Sequence, residues 1–308
     1  MKKLLLASTA LVMSAGVAAA DVALSGDGRM GIVYNDAAVD ELRFDSRVRV
    51  LFTLSGETST GLAFGGSFRA HTAGDAASGN MGTNGATVFI AGDWGTLTMG
   101  DTMGAVQGAV GDLHGVGLTG LGFVNENTYL IRNFNGGVFN SGGTNALYTY
   151  TIEGLTVHAH IGQVNVRDGN NDRVNTYGIG ARYAMGDFEI GAGVERGDVG
   201  GLNIDHVAVG GQYTFGDIEV RATYGTLFND GSGLLASDDQ YGLSMSASFA
   251  ETTVTAFARR DFARDTHVGV GASYDLGGGA SLVGGVRFTD FDAGGDQTTA
   301  DFGVSFSF

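Results

Sequence analysis

An all-β fold, a closed antiparallel barrel of sixteen membrane-crossing strands, is predicted by three observations in the sequence. Apolar and polar residues alternate with period two along nearly the whole chain, the mark of strands with one apolar and one polar face. The connections between these segments alternate in length, short then long, as expected of a transmembrane barrel with short periplasmic turns and longer external loops. Proline is absent from all 308 residues, which suits long, fully paired strands because proline lacks the N–H that a ladder needs.

Residues 1–20 stand apart from this pattern. Lys2 and Lys3 precede an apolar stretch from Leu4 to Ala19 that ends in Ala18-Ala19-Ala20, the layout of a cleaved secretory signal peptide. The expected domains are a signal peptide at 1–20 and one barrel domain at 21–308.

From Asp21 onward the strands follow in order. Val22, Leu24, Met30, Ile32 and Tyr34 share one face of the first, with Ser25, Asp27 and Arg29 on the other. In the second, Leu42, Phe44, Val48, Val50, Phe52 and Leu54 alternate with Arg43, Asp45, Arg47, Arg49 and Thr53. Leu62, Phe64 and Phe68 against Ser67, Arg69 and His71 make the third, and shorter strands are expected near 86–91 and 96–100. After an irregular stretch, alternation resumes at 145–152 and continues through Leu155, Val157, Ala159 and Ile161, then Tyr177, Ile179 and Tyr183, then Phe188, Ile190 and Val194. Val207, Val209, Tyr213 and Phe215 precede Ile218, Val220, Ala222 and Tyr224, and the closing strands fall at 241–249, 253–259, 267–276, 281–288 and 299–308. Short connections are expected at 55–60, 92–95, 153–154, 186–187, 216–217, 250–252 and 277–279. Long ones are expected at 35–41, 72–85, 101–144, 164–174, 197–204, 227–238, 260–265 and 289–298. Aromatics such as Tyr34, Trp94, Tyr183, Phe215, Phe249, Tyr274 and Phe288 lie near strand ends, where girdles meet the membrane interfaces.

Composition narrows the function classes. The net charge is −16, and apart from Lys2 and Lys3 every cation is arginine. Without a concentrated basic tract, a nucleic-acid partner is not expected. There is no cysteine, so an exported chain must rely on hydrogen bonding and packing rather than disulfides. The 54 glycines are about two and a half times the usual share and are expected in curved strands and tight turns.

Three stretches carry a resemblance: Leu24-Ser25-Gly26-Asp27-Gly28-Arg29-Met30-Gly31, then Ser46-Arg47-Val48-Arg49-Val50-Leu51-Phe52-Thr53-Leu54-Ser55-Gly56, and Gly269-Val270-Gly271-Ala272-Ser273-Tyr274-Asp275-Leu276-Gly277-Gly278-Gly279-Ala280-Ser281. With the terminal Phe302, Val304, Phe306 and Phe308, the chain resembles the sixteen-stranded general-diffusion porins of alphaproteobacteria. That resemblance implies a homotrimer in the outer membrane of a Gram-negative bacterium, in contact with lipid and lipopolysaccharide. Each monomer would form a passive, water-filled channel for small hydrophilic solutes and ions, narrowed by an inward-folded third loop. The stretch 101–144 matches that loop by position. A solute-specific, anion-preferring channel is the alternative.

Charge at a constriction decides which solutes pass. Arg29, Arg43, Arg47, Arg49, Arg69 and His71 fall on the polar faces of three consecutive strands and are expected to line one wall. An inward-folded loop would set Asp112 and Glu126 opposite. Residues 101–144 hold only Asp101, Asp112 and Glu126, with Arg132, whereas the family's loop is carboxylate-rich, so cation preference does not simply carry over. No catalytic set stands out, and no enzyme activity is expected. Gly26-Asp27-Gly28-Arg29-Met30-Gly31 fits a dinucleotide-binding spacing but opens no helix. His158 and His160 share a face without evident metal partners. No cofactor is required. Asp290, Asp292 and Asp296 offer carboxylates for loop calcium, which related porins carry, yet lack the bidentate Glu and spacing of a dedicated calcium loop.

Overall fold

The computed structural model describes residues 21–72, 81–133, 144–165, 173–199, 202–228 and 237–308. The signal-peptide reading of residues 1–20 lies outside these. Alternation becomes sixteen strands: β1 (Asp21–Asn35), β2 (Leu42–Glu57), β3 (Ala63–Thr72), β4 (Met81–Gly92), β5 (Gly95–Gly100), β6 (Asn145–Ile152), β7 (Leu155–Asn165), β8 (Arg173–Met185), β9 (Phe188–Val199), β10 (Leu202–Phe215), β11 (Ile218–Phe228), β12 (Asp239–Phe249), β13 (Thr252–Arg260), β14 (Thr266–Gly277), β15 (Ala280–Asp290) and β16 (Asp296–Ser307). One short helix, α1 (Ala105–Val110), follows β5.

Each strand pairs antiparallel with its sequence neighbours, and β16 closes on β1. The closing ladder runs from Asp27↔Ser307 to Asn35↔Thr299. Gly26 and Phe308 extend it through reciprocal backbone bonds of 2.6 and 3.0 Å. Closure leaves no open edge with unpaired N–H and C=O groups, the condition for a sheet to cross hydrocarbon.

The short turns owe their tightness to residues that take positive φ. Glu153 and Gly154 have φ of 46° and 84°, as a two-residue hairpin turn of the primed type requires. Gly186, φ 61°, occupies the first central position of the β8–β9 turn. At the loop end the strands run further than alternation indicates. The ladder β9–β10 continues to Leu202↔Val199 through a stretch expected as loop at 197–204. β4 likewise starts at Met81 rather than near residue 86. Polar residues beyond an apolar belt cost little in water, so hydrogen bonding carries the ladder past the end of the hydrophobic pattern.

Outward positions are apolar and open. Leu24, Met30, Phe44, Ile179, Phe249 and Phe302 are among many large apolar side chains left exposed, far more than a monomeric soluble surface carries. Trp94, Tyr183, Phe215, Phe249 and Tyr274 ring the turn end, and Phe44, Tyr177, Tyr241 and Phe288 ring the loop end, the two girdles of a membrane-crossing barrel.

The interior is crossed by the segment 101–133, which folds inward with Val106, Ala109, Leu113, Val116, Leu121 and Tyr129 buried. Its seat is a track of inward-facing glycines. A Cβ at Gly180 would lie 2.6 Å from Ala105 O and 2.8 Å from Ala109 Cβ, and one at Gly191 would overlap Ala109 O. At Gly210 it would meet Val110 Cγ1 at 2.9 Å, at Gly271 Val116 Cβ at 3.1 Å, at Gly285 Gly117 N at 2.7 Å and at Gly303 Leu118 Cδ2 at 2.7 Å. Some of the glycine expected for curvature and turns therefore serves a different purpose, close approach of the loop to the wall.

Gly191→Leu is expected to lift α1 from the wall at an overpacking cost of about 1–3 kcal/mol. Limited proteolysis should then cut within 101–133 at least about fivefold faster, with strand content by circular dichroism unchanged. Equal rates for Gly191→Leu and an outward control, Ile190→Leu, would mean the track does not hold the loop.

Candidate functional site

Because the inward loop would otherwise bury unpaired backbone groups, side chains of the opposite wall satisfy them. On β7 His160 Nδ1 accepts the Ala105 N–H at 2.8 Å. On β9 Glu195 Oε1 accepts the Leu130 N–H at 2.7 Å and lies 2.8 Å from His206 Nδ1. Gln240 of β12 pairs with both backbone groups of Thr128, at 2.9 and 2.6 Å. Arg259 of β13 donates to Val124 O at 3.0 Å. Asp301 of β16 accepts Leu118 N–H at 2.9 Å, Thr119 N–H at 2.6 Å and the Thr119 hydroxyl at 2.7 Å. Every clamp comes from an inward position of a strand, so register alone determines where the loop is held.

Pinned in this way, the loop faces the arginines of β1, β2 and β3 across a cavity of ≈ 760 Å³. Arg29, Arg47, Arg49 and Arg69 line one side, and Asp112, Glu126 and Arg132 the other. Pairing explains the grouping: Arg29 is opposite Arg47, Asp27 opposite Arg49, and Leu51 opposite Arg69. Arg29 is bound by Asp45 at 2.7 Å. Asp27 is shared between Arg47 at 2.9 Å and Arg49 at 3.6 Å.

Two expected members stand elsewhere. Arg43 pairs with Val33, four residues beyond Arg47 and so roughly 13 Å nearer the loop end at the usual strand rise; it is exposed and does not line the cavity. His71 is level with Arg49 in the ladder but also lies outside the lining. Alternation identified the correct face for both; height along the strand separates Arg43 from the others, whereas His71 shares the height of Arg49 one strand further round the wall.

Arg132, named in the sequence only as an accompaniment to the loop's carboxylates, organises the loop side. Its two terminal nitrogens donate to the two Asp112 oxygens, each at 2.9 Å, a bidentate geometry that strengthens the pair. The same guanidinium reaches Glu126 at 2.8 Å and Asn127 O at 3.0 Å. Burial pulls the Arg132 guanidinium down, but the Asp112 hydrogen bond and charge, with Glu126, outweigh it and hold its pKa above the ordinary value. Burial raises the Glu126 carboxyl above its ordinary range, Asp112 adding to this and Arg132 opposing it. The lining thus presents five guanidiniums and two carboxylates, and one of the five bridges both of those.

Other polar constellations do less. Ser244 Oγ lies 2.8 Å from His114 Nδ1, and His114 Nε2 is 2.6 Å from Glu219, the residue types of a hydrolytic triad. Ser244 is buried and its oxygen also accepts the His114 N–H at 3.1 Å, so it anchors the loop rather than meeting a substrate. Asp290 and Asp296 are ladder partners, while Asp292 reaches Arg260 at 3.8 Å. Among the described residues they form no three-ligand group. No arrangement of His158 and His160 meets that geometry either; His158 lies against Thr149 at 3.1 Å.

Known proteins share this architecture throughout. A family model described as Gram-negative porin matches residues 7–294. A porin of Rhodobacter capsulatus is 36% identical, aligned over 94% of this chain and 100% of its own length. A porin structure refined at 1.8 Å superposes with a TM-score of 0.76 at 32% identity, covering 94% of this chain and 100% of the other. A variant of the Rh. blastica porin gives 0.72 at 25% identity with the same coverage. With the closed sixteen-stranded barrel, the inward loop and the charged passage it leaves, these matches place the chain in the Gram-negative porin family, as a general-diffusion porin of the outer membrane.

Proposed function

We propose that the passage between the arginines of β1–β3 and the loop segment 112–132 is the constriction of a passive channel, with a weak preference for anions. The observation that carries this reading is the double engagement of Arg132, which ties up both carboxylates of the lining while Arg47 and Arg49 share Asp27. Selectivity is decided where the pore is narrowest, and there the positive wall outweighs what faces it. The overall charge of −16 resides largely in groups away from that point, where water and salt screen it.

Arg29, Arg47, Arg49, Arg69, Asp112 and Glu126 carry this role, with Arg132 added to them. Arg43 and His71 act nearer the mouth and on the wall beside Arg49. Three chains assemble in the membrane, each with its own pore, against lipid and lipopolysaccharide. Residues 1–20 direct export, and the channel performs no turnover. The row of arginines also supports a solute-specific anion channel as a second reading, which flux that saturates with one anionic solute would favour over linear, size-limited flux.

Reversal potentials under a salt gradient in planar bilayers test the charge assignment. An elementary charge a few ångströms from the path contributes on the order of 1 kcal/mol in a water-like dielectric. Arg49→Ala and Arg132→Ala are therefore each expected to shift the permeability ratio toward cations by up to about fivefold. A wild-type channel that already prefers cations, and does not respond to Arg132→Ala, contradicts the reading.

A pH series tests Glu126 separately. Because its carboxyl is held above the ordinary range, it gains a proton earlier than other carboxylates as pH falls from neutrality. That step removes a negative charge from the lining, so anion preference should rise on mild acidification. Glu126→Gln should start at the higher preference and lose this component of the pH dependence; an identical pH profile in the two proteins would rule it out.

A further inference from the structure

The connection 261–265 joins β13 to β14 at the loop end. It closes on itself through Asp261 N–H to Asp265 O at 3.1 Å and Asp265 N–H to Asp261 Oδ1 at 3.0 Å. Phe262 is buried and meets His206 edge-on, with centroids 5.8 Å apart, which anchors the loop against the inner wall. His267, the second residue of β14, is only 4% exposed. Its Nε2 lies 3.1 Å from Asp261 Oδ2 and its Nδ1 2.9 Å from Thr289 Oγ1 on β15. Asp265 is steadied from the next loop, its Oδ1 accepting the Asp292 N–H at 3.0 Å.

One donor atom each of Asp261, Asp265 and His267 lies within 4.8 Å of the other two. Two carboxylates at this spacing repel, and among the described residues neither forms an arginine salt bridge. The nearby Arg260 reaches Asp292 instead, and the buried Arg259 is committed to Val124 O, Thr128 and Gln240. The His267 imidazole meets Asp261, and among the described residues no cationic side chain forms a salt bridge with Asp265. A divalent cation would compensate both.

We propose that Asp261, Asp265 and His267 bind a first-row divalent transition cation of the Zn²⁺ type at the channel mouth, with the remaining coordination positions held by water. The donor set decides the class. Zn²⁺ accepts imidazole nitrogen with carboxylate oxygen in four-coordinate sites, whereas Ca²⁺ takes six to eight oxygens. Thr289 completes the site as the partner of Nδ1–H, which turns the Nε2 lone pair toward the carboxylates. Bound there, the ion fastens the 261–265 loop to β14 and, through Thr289, to β15. This assignment does not depend on the selectivity of the pore.

The test is calorimetric titration of Zn²⁺ into the folded mature protein after chelator treatment, with Co²⁺ absorption as a second readout. One strong site per chain is expected, unaffected by excess Ca²⁺. Affinity should fall at least tenfold in His267→Ala and in Asp265→Asn, and by about tenfold in Thr289→Val, which alters only the support of the ring. Asp265→Asn keeps the Asp261–His267 hydrogen bond, so it reports on the site even if His267→Ala fails to fold. Zn²⁺ binding that is absent from the wild type, or equal in wild type and Asp265→Asn, overturns the proposal, because the other five histidines would then account for any uptake.

Discussion

The feature on which the rest of the structure depends is the approach of one stretch of backbone to the inner wall at distances that exclude a Cβ. Where Gly180, Gly191, Gly210, Gly285 and Gly303 face inward, the loop 105–118 rests directly on the sheet. A side chain at any of these positions would push the loop toward the axis. Glycine lowers strand stability, and closure of the barrel by continuous hydrogen bonding tolerates that cost. The pore diameter is thus set by what the wall lacks, and the position of the loop along the wall by what it supplies in Asp301, Glu195, Gln240 and His160.

Electrostatics follows from that placement. Once the loop is pinned between β16 and β7, its carboxylates must face β1–β3, where pairing has already stacked Arg29 beside Arg47 and Arg49 beside Asp27. Half-buried groups in this position are screened less than those at the rims. Arg132 then determines the sign of the lining: a neutral residue there would free Asp112 and Glu126 to oppose the wall, whereas the arginine holds them in a closed ion cluster. The same logic operates at the mouth, where among the described residues Asp261 and Asp265 form no arginine salt bridge.

Strand number, order and facing were legible from the sequence because period-two alternation maps directly onto the two faces of a barrel wall, as Leu42 to Leu54 illustrate. The seven short turns were equally plain, each but the one at 250–252 carrying a glycine. Loop ends were less so. The ladder through Asp198 and Asn203 has no apolar outward residue to announce it, because those residues pair above the apolar belt. Arg43 shows the limit for the site: alternation places a side chain inside or outside, but distance along the axis depends on register between strands. The glycine track was invisible for a related reason, since an inward glycine neither breaks nor reinforces the pattern. Asp261, Asp265 and His267 straddle a loop and a strand, so no single periodicity joins them.

The seating of the loop on the glycine track is tested most directly by cross-linking. The chain contains no cysteine, so a double variant Val116→Cys with Gly271→Cys offers one unambiguous pair, at positions where a Cβ on residue 271 lies 3.1 Å from Val116 Cβ, a few tenths of an ångström inside the roughly 3.5–4.5 Å separation of a disulfide, which a small give of the loop supplies. Spontaneous oxidation of the folded protein to a monomeric disulfide, with single-channel conductance unchanged between the oxidised and reduced forms, is the expected result. Failure to cross-link in a correctly folded barrel, or a conductance that changes sharply when the bond forms, would show that the loop does not rest against the wall and would contradict the account.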